Sequence, residues 1–190
     1  MNSLRTILCL FTLCIFSCAS NKNQASSTEI AQLNKLVEEQ AFEINSDWAL
    51  PMTTNSLVSL QNAGFFPPGS SAGQINLIGN PNYFRIKGDS ISSELPYYGE
   101  VQFSAGHYGG ESGIELKGLI EDLTIEKNEK NKSYRFRFEA SSEKENYKIY
   151  LTLFPNGRST LRINGNNRFP IEYTGNYSQL PDDIKMNIIN

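Results

Sequence analysis

The sequence predicts a mainly β, α+β fold: one N-terminal amphipathic helix packed on a twisted, curved antiparallel sheet or half-barrel of about nine or ten strands. Three observations carry this. Apolar residues recur at helical spacing convincingly only once, from Ile30 onward, whereas most of the remaining chain repeats with a period of two. Turn signals punctuate the second half at short intervals. The composition, 39% hydrophobic, 11% aromatic and 19% charged over 190 residues, supports one core and lacks the charge density of a disordered chain.

The chain opens with a targeting segment, residues 1–17. Arg5 supplies a positive start, and the apolar run Ile7 to Phe16 is too short for a permanent membrane span. The run ends in Ile15-Phe16-Ser17-Cys18, which has the spacing of a bacterial lipobox, so Cys18 is the expected lipidation site. Cys9 and Cys14 fall inside the signal, which leaves Cys18 as the sole cysteine of a processed chain and no intrachain disulfide. Acyl chains on Cys18 would anchor the protein to the membrane, because two or more chains suffice for stable attachment. Residues 18–27 form the lipidated cysteine and a polar tether, 28–178 a single globular β domain, and 179–190 a C-terminal tail. No acidic run follows Cys18, which points to an outer-membrane lipoprotein of a Gram-negative bacterium facing the periplasm.

Ser26 and Glu29 make a capping box that starts a helix over Thr28 to Phe42, behind which Ile30, Leu33, Leu36, Val37, Ala41 and Ile44 recur as an apolar stripe. From Glu43 the period becomes two. Short runs at Leu57 to Leu60, Ile75 to Ile78, Tyr83 to Lys87 and Val101 to Phe103 read as strands of the same twisted sheet or of a second layer, and Ala63 to Ser71 with its paired prolines reads as a long loop. The second half reads as a five-stranded meander, beginning with the strand through Ile114, Leu116 and Ile120. Tyr134, Phe136 and Phe138 alternate with Arg135, Arg137 and Glu139, giving one dry and one wet face. Asn156-Gly157 between two alternating runs predicts a hairpin with a type I′ turn. The wet faces carry Arg, Lys and Glu, which argues against a lipid-facing transmembrane barrel.

Net charge −3 without a basic patch argues against nucleic acid as the main partner. His107 is the only histidine; with Glu111 it makes too small a set for zinc, so no metal and no cofactor are assigned. The glycine-rich segment around His107 leads into a strand pattern, which rules against a phosphate-cradling loop. No nucleophile elbow occurs, and no catalytic residue is assigned. Two pairs of aromatics on expected loops, Phe65 with Phe66 and Tyr97 with Tyr98, are candidate binding residues; the competing reading is that they cap the core. Asp89-Ser90-Ile91 matches a short pattern for bacterial O-glycosylation, which makes Ser90 a candidate acceptor.

Tyr83 to Ile91, then Leu95-Pro96-Tyr97-Tyr98-Gly99, a glycine-rich segment to Ile114, Asn156-Gly157 and Ile171 to Gly175 follow one another in an order that resembles the domain-of-unknown-function family 4251 (DUF4251). The likeness covers about Leu36 to Tyr177, with Thr53 to Gln74 longer than in shorter members. It implies a bacterial envelope lipoprotein with a mainly β fold and brings no activity, substrate or catalytic residue. The expected role is a non-enzymatic binding or structural module of the envelope that engages an unidentified envelope protein or ligand. A carrier of an apolar or amphipathic ligand between helix and sheet is the alternative, and an enzyme the third reading. A roomy apolar pocket would favour the carrier, whereas a filled core with exposed aromatics would favour the module.

Overall fold

The computed structural model describes residues 25–102, 113–143, 145–181 and 184. The signal segment, Cys18, His107, Glu111 and Phe103 lie outside them. Ser26 caps helix α1, Ser27–Glu39: its hydroxyl accepts from the Glu29 amide, and the Glu29 carboxylate accepts from the Ser26 amide at 2.7 Å. The helix stops three residues before the expected Phe42, because Gln40 turns left-handed at φ 46° and donates its amide to Leu36. Alternation takes over at once in β1, Ala41–Pro51, where Phe42, Ile44 and Ser46 point inward.

Nine further strands follow: β2 (Ile75–Asn76), β3 (Tyr83–Lys87), β4 (Ser90–Pro96), β5 (Gly113–Leu119), β6 (Glu121–Lys127), β7 (Tyr134–Ser141), β8 (Asn146–Leu153), β9 (Arg158–Gly165) and β10 (Ile171–Gln179). They form one antiparallel sheet in the order β5-β4-β3-β1-β10-β9-β8-β7-β6, with β2 paired to β1. The two edge strands are consecutive in the chain, with only Ile120 between them. One nearly continuous strand therefore pairs with β4 through its first half and with β7 through its second, and the sheet curls into a nearly closed barrel. The Ile120 amide, bonded to the Asp89 carbonyl at 2.7 Å, pins the changeover.

Inward residues of the strands meet the α1 stripe in one core. Tyr173, Phe42, Phe84, Phe136 and Phe138 are among its largest fully buried side chains, and Phe42 meets Phe136 edge-on at 5.7 Å. Leu33, Leu36 and Val37 of α1 seat in the same core, each contributing about 2 kcal/mol of burial. Asn34 fixes the helix against the β6–β7 hairpin, accepting from the Tyr134 hydroxyl at 2.8 Å and the Lys127 ammonium at 3.1 Å.

Several sequence expectations change. Leu57 to Leu60 belong to a second helix, α2 (Asn55–Asn62), not a strand: Thr54 caps it through the Leu57 amide, and Leu57 is its buried anchor. Of Ile75 to Ile78 only Ile75 and Asn76 are strand, and Val101 makes an isolated bridge to Arg168. Strands β4 and β6 escaped the periodicity reading, because β4 begins with two buried residues in succession and β6 is exposed almost throughout. The Asn156-Gly157 hairpin exists, but only Gly157 is left-handed, at φ 79°. Pro155 fixes a negative φ, so the loop is a three-residue turn closed by Gly157 donating to Phe154. At the other terminus β10 runs to Gln179, and Leu180 is buried with its amide on Ala41.

Candidate functional site

Helix α1 lies at the barrel end where β1 begins; the β1–β3, β7–β8 and β9–β10 connections and the exit of β4 meet at the opposite end. There the segment Glu100–Gln102 lies against Asn167–Phe169, with the Gln102 amide on Asn167 at 2.7 Å and the Phe169 amide on Glu100 at 3.0 Å. Tyr97 sits beneath this pair of segments. It is 8% exposed, and its hydroxyl bonds the carbonyls of Glu100 at 3.0 Å and Phe169 at 2.9 Å.

An ion pair completes the closure. The Arg168 Nε donates to Glu145 Oε2 at 2.7 Å, and the two side chains are 15% and 3% exposed. Glu145 also accepts from the Asn167 amide at 2.8 Å and the Tyr147 hydroxyl at 3.1 Å, which occupies both carboxylate oxygens. The guanidinium carbon lies 4.7 Å from the Tyr97 ring centre and 5.7 Å from that of Tyr147, so cation–π contacts add to the pair. Burial pushes the Tyr97 and Tyr147 phenols up to about 12 and Tyr173 well above its usual range, with Arg168 opposing each shift. These phenols are neutral hydrogen-bond donors near neutral pH. The arrangement acts as a bolt across this end of the barrel.

Outside the bolt stands an excursion between β1 and β3. Ile75 and Leu77 root it in the barrel core, Leu57 and Ala72 are buried as well, and the Ala72 amide bonds the Gln61 side chain at 2.6 Å. The hydroxyls of Thr54 and Ser56, at the start of α2, hold the Glu100 carboxylate below the usual carboxylate range. The excursion is thereby joined to the bolt through Glu100. Phe65 at 74% exposure and Ile78 at 69% project from it, together with Met52, Val58 and Leu60. No Asp, Glu, Lys or Arg occurs from Trp48 to Phe84.

The four candidate aromatics thus separate. Phe65 is a surface residue; Phe66 and Tyr98 pack partly buried against the core, and Tyr97 belongs to the bolt. Ser90 is 5% exposed with its hydroxyl on Asp89 at 3.2 Å, so the candidate glycan acceptor is buried at the start of β4. Sequence reading missed Arg168 and Glu145, because nothing local marks an ion pair made across 23 residues. The uncharged span was legible from a windowed charge count.

Glu29, Glu100 and Glu129 are each held below the usual carboxylate range, chiefly by the Ser26 amide, the Thr54 hydroxyl and Lys132 respectively; a general acid needs the opposite shift. Among the described residues no group of three His, Cys, Asp or Glu is placed to hold a metal ion, and no helix is long and apolar enough to cross a membrane.

The model of a family described as a domain of unknown function, DUF4251, matches residues 24–177. No curated protein matches the chain. Among solved structures the chain is similar to a DUF4251 family protein from Bacteroides eggerthii DSM 20697, with a TM-score of 0.53 and 15% identity over 82% of this chain and 90% of that one. At that identity the likeness is one of fold.

Proposed function

The chain belongs to the DUF4251 family, and from that premise we propose that it is a non-enzymatic interaction module of the bacterial envelope, anchored through lipidated Cys18 and docking a partner protein through the α2 excursion. The barrel interior supports this reading: it is filled by large aromatic and aliphatic side chains, plugged by α1 at one end and bolted by Tyr97, Arg168 and Glu145 at the other. A carrier needs a roomy apolar cavity. Here the apolar stripe of α1 and the concave face of the sheet are already in contact.

The excursion has the composition of an interface core, in which charged residues are depleted and aromatic and Met side chains enriched. Phe65 is its most exposed large apolar side chain. Outer-membrane, periplasm-facing placement rests on the lipobox and on the absence of an acidic run after Cys18.

Photocrosslinking in native cells tests the docking surface. A crosslinking side chain at position 65 is expected to trap one protein species, and one at Lys130, on the β6–β7 loop, is not. Equal labelling from both positions, or none from position 65, would overturn the reading.

A further inference from the structure

The outer wall of the barrel carries a strip of a different character. The register places Arg137 of β7 opposite Tyr150 of β8, and Tyr150 opposite Arg162 of β9, all three exposed on the wet face. Neighbouring strands lie about 4.8 Å apart, so the two arginines stand about 10 Å apart with a tyrosine ring between them. Arg135, two residues along β7, widens the strip. Among the described residues no carboxylate comes within ion-pair distance of Arg135, Arg137 or Arg162, although Arg85, Arg158 and Arg168 are all paired. Asn164 holds the Arg162 Nε at 3.3 Å and orients that guanidinium. Beside Arg137 a groove of about 210 Å³ opens between β6 and β8, lined by the carboxylates of Asp122 and Glu139 as well as by Arg137 and Lys148, where Asp122 turns left-handed at φ 53° and the β6–β7 register shifts.

We infer that this strip binds an acidic polysaccharide of the uronate type, laid across β7, β8 and β9. A guanidinium fork matches a carboxylate, and a tyrosine face stacks on the apolar face of a pyranose ring. Two arginines flanking one tyrosine fit sugar acids that recur along a chain. The strip's borders decide against a flat anionic surface such as a membrane. Glu126 faces Arg135, Glu139 sits beyond Arg137 in its pair with Lys148, and Glu172 faces Arg162 at the end of the row. A lipid surface would press on those carboxylates, whereas a chain one sugar wide follows the arginines between them. The site is separate from the α2 excursion and stands whether or not that surface docks a protein.

Calorimetric titration of the full chain in detergent with polygalacturonate tests the inference. Binding is expected, with uncharged dextran inert. Arg137→Gln with Arg162→Gln should weaken it at least tenfold, and Tyr150→Ala several-fold; all three side chains are exposed, so folding is spared. Lys35→Gln removes an exposed cation from α1 and should leave binding unchanged. Three results would overturn the inference: no binding to polygalacturonate, equal weakening by Lys35→Gln, or equal affinity for anionic lipid vesicles or single-stranded DNA.

Discussion

The guanidinium of Arg168 lies 4.7 Å above the ring of Tyr97, while its Nε is held by the buried carboxylate of Glu145. Through this contact the β9–β10 loop is locked onto the exit of β4, and the loop-bearing end of the barrel is shut. The Tyr97 hydroxyl extends the lock to the carbonyls of Glu100 and Phe169.

Removing the arginine strands a carboxylate that is 3% exposed. Arg168→Ala should therefore destabilise the domain by about 3 kcal/mol, since breaking a buried pair leaves an uncompensated charge. For a domain of this size that lowers the thermal midpoint by about 10 °C. Arg168→Met with Glu145→Gln should recover much of the loss, because the neutral amide removes the stranded charge and keeps an oxygen for the Asn167 amide and the Tyr147 hydroxyl, and Arg168→Lys should recover little, because an ammonium cannot reproduce the planar fork over Tyr97. Thermal unfolding of the three variants checks this.

Two glycines should fail for different reasons. Gly157 sits at φ 79° with open space around it, so Gly157→Ala should cost about 1 kcal/mol through backbone strain alone. Gly175 lies under the bulge between Ser46 and Trp48, where an added Cβ would fall 2.6 Å from the Ser46 Cα. Gly175→Ala forces two strands apart and should cost roughly 3 kcal/mol, as in overpacked cores. Urea denaturation distinguishes the pair, with the larger fall in midpoint expected at Gly175.

Helix α1 is held by apolar contact more than by polar bonds. Leu33, 1% exposed at the centre of its stripe, should cost about 3 kcal/mol on truncation to Ala. Lys35→Ala, on the wet side, should change stability by less than about 0.5 kcal/mol. Denaturant midpoints of the two variants test whether the helix is a structural plug.

Alkaline pH should unfold the protein through its phenols. Tyr97, Tyr147 and Tyr177 are raised to about 12 from a usual value of 10.0, chiefly by burial. With the folded value above the unfolded one, the native state keeps protons that the unfolded state releases. That contribution is complete below pH 10.0 and is lost as pH rises from there through about 12. Phenolate absorbance should rise in two phases, the exposed tyrosines first, and the buried ones together with loss of near-ultraviolet circular dichroism.

Local physics made much of this fold legible. The capping box at Ser26, the alternation through Tyr134 to Glu139 and the hairpin glycine at Gly157 act over a few residues, and each appears where such signals place it. The closure of the sheet is a long-range matter. Strand β6 exposes both faces, so Glu121 to Lys127 show no buried alternation, and only the curvature of the whole sheet brings β5 and β6 to opposite edges. Leu57 was ambiguous for a related reason: a short apolar run fits strand or helix until the Thr54 cap is considered. The bolt depends on Glu145 meeting Arg168, a contact fixed by topology rather than by neighbours in sequence.

Native mass spectrometry of the protein purified from cells that express it naturally, set against the denatured mass, tests the filled and closed barrel most directly. Equal masses are expected, with any acyl chains on Cys18 retained in both because they are covalent. A stoichiometric apolar ligand present in the native spectrum and released on denaturation would contradict that expectation and establish a carrier.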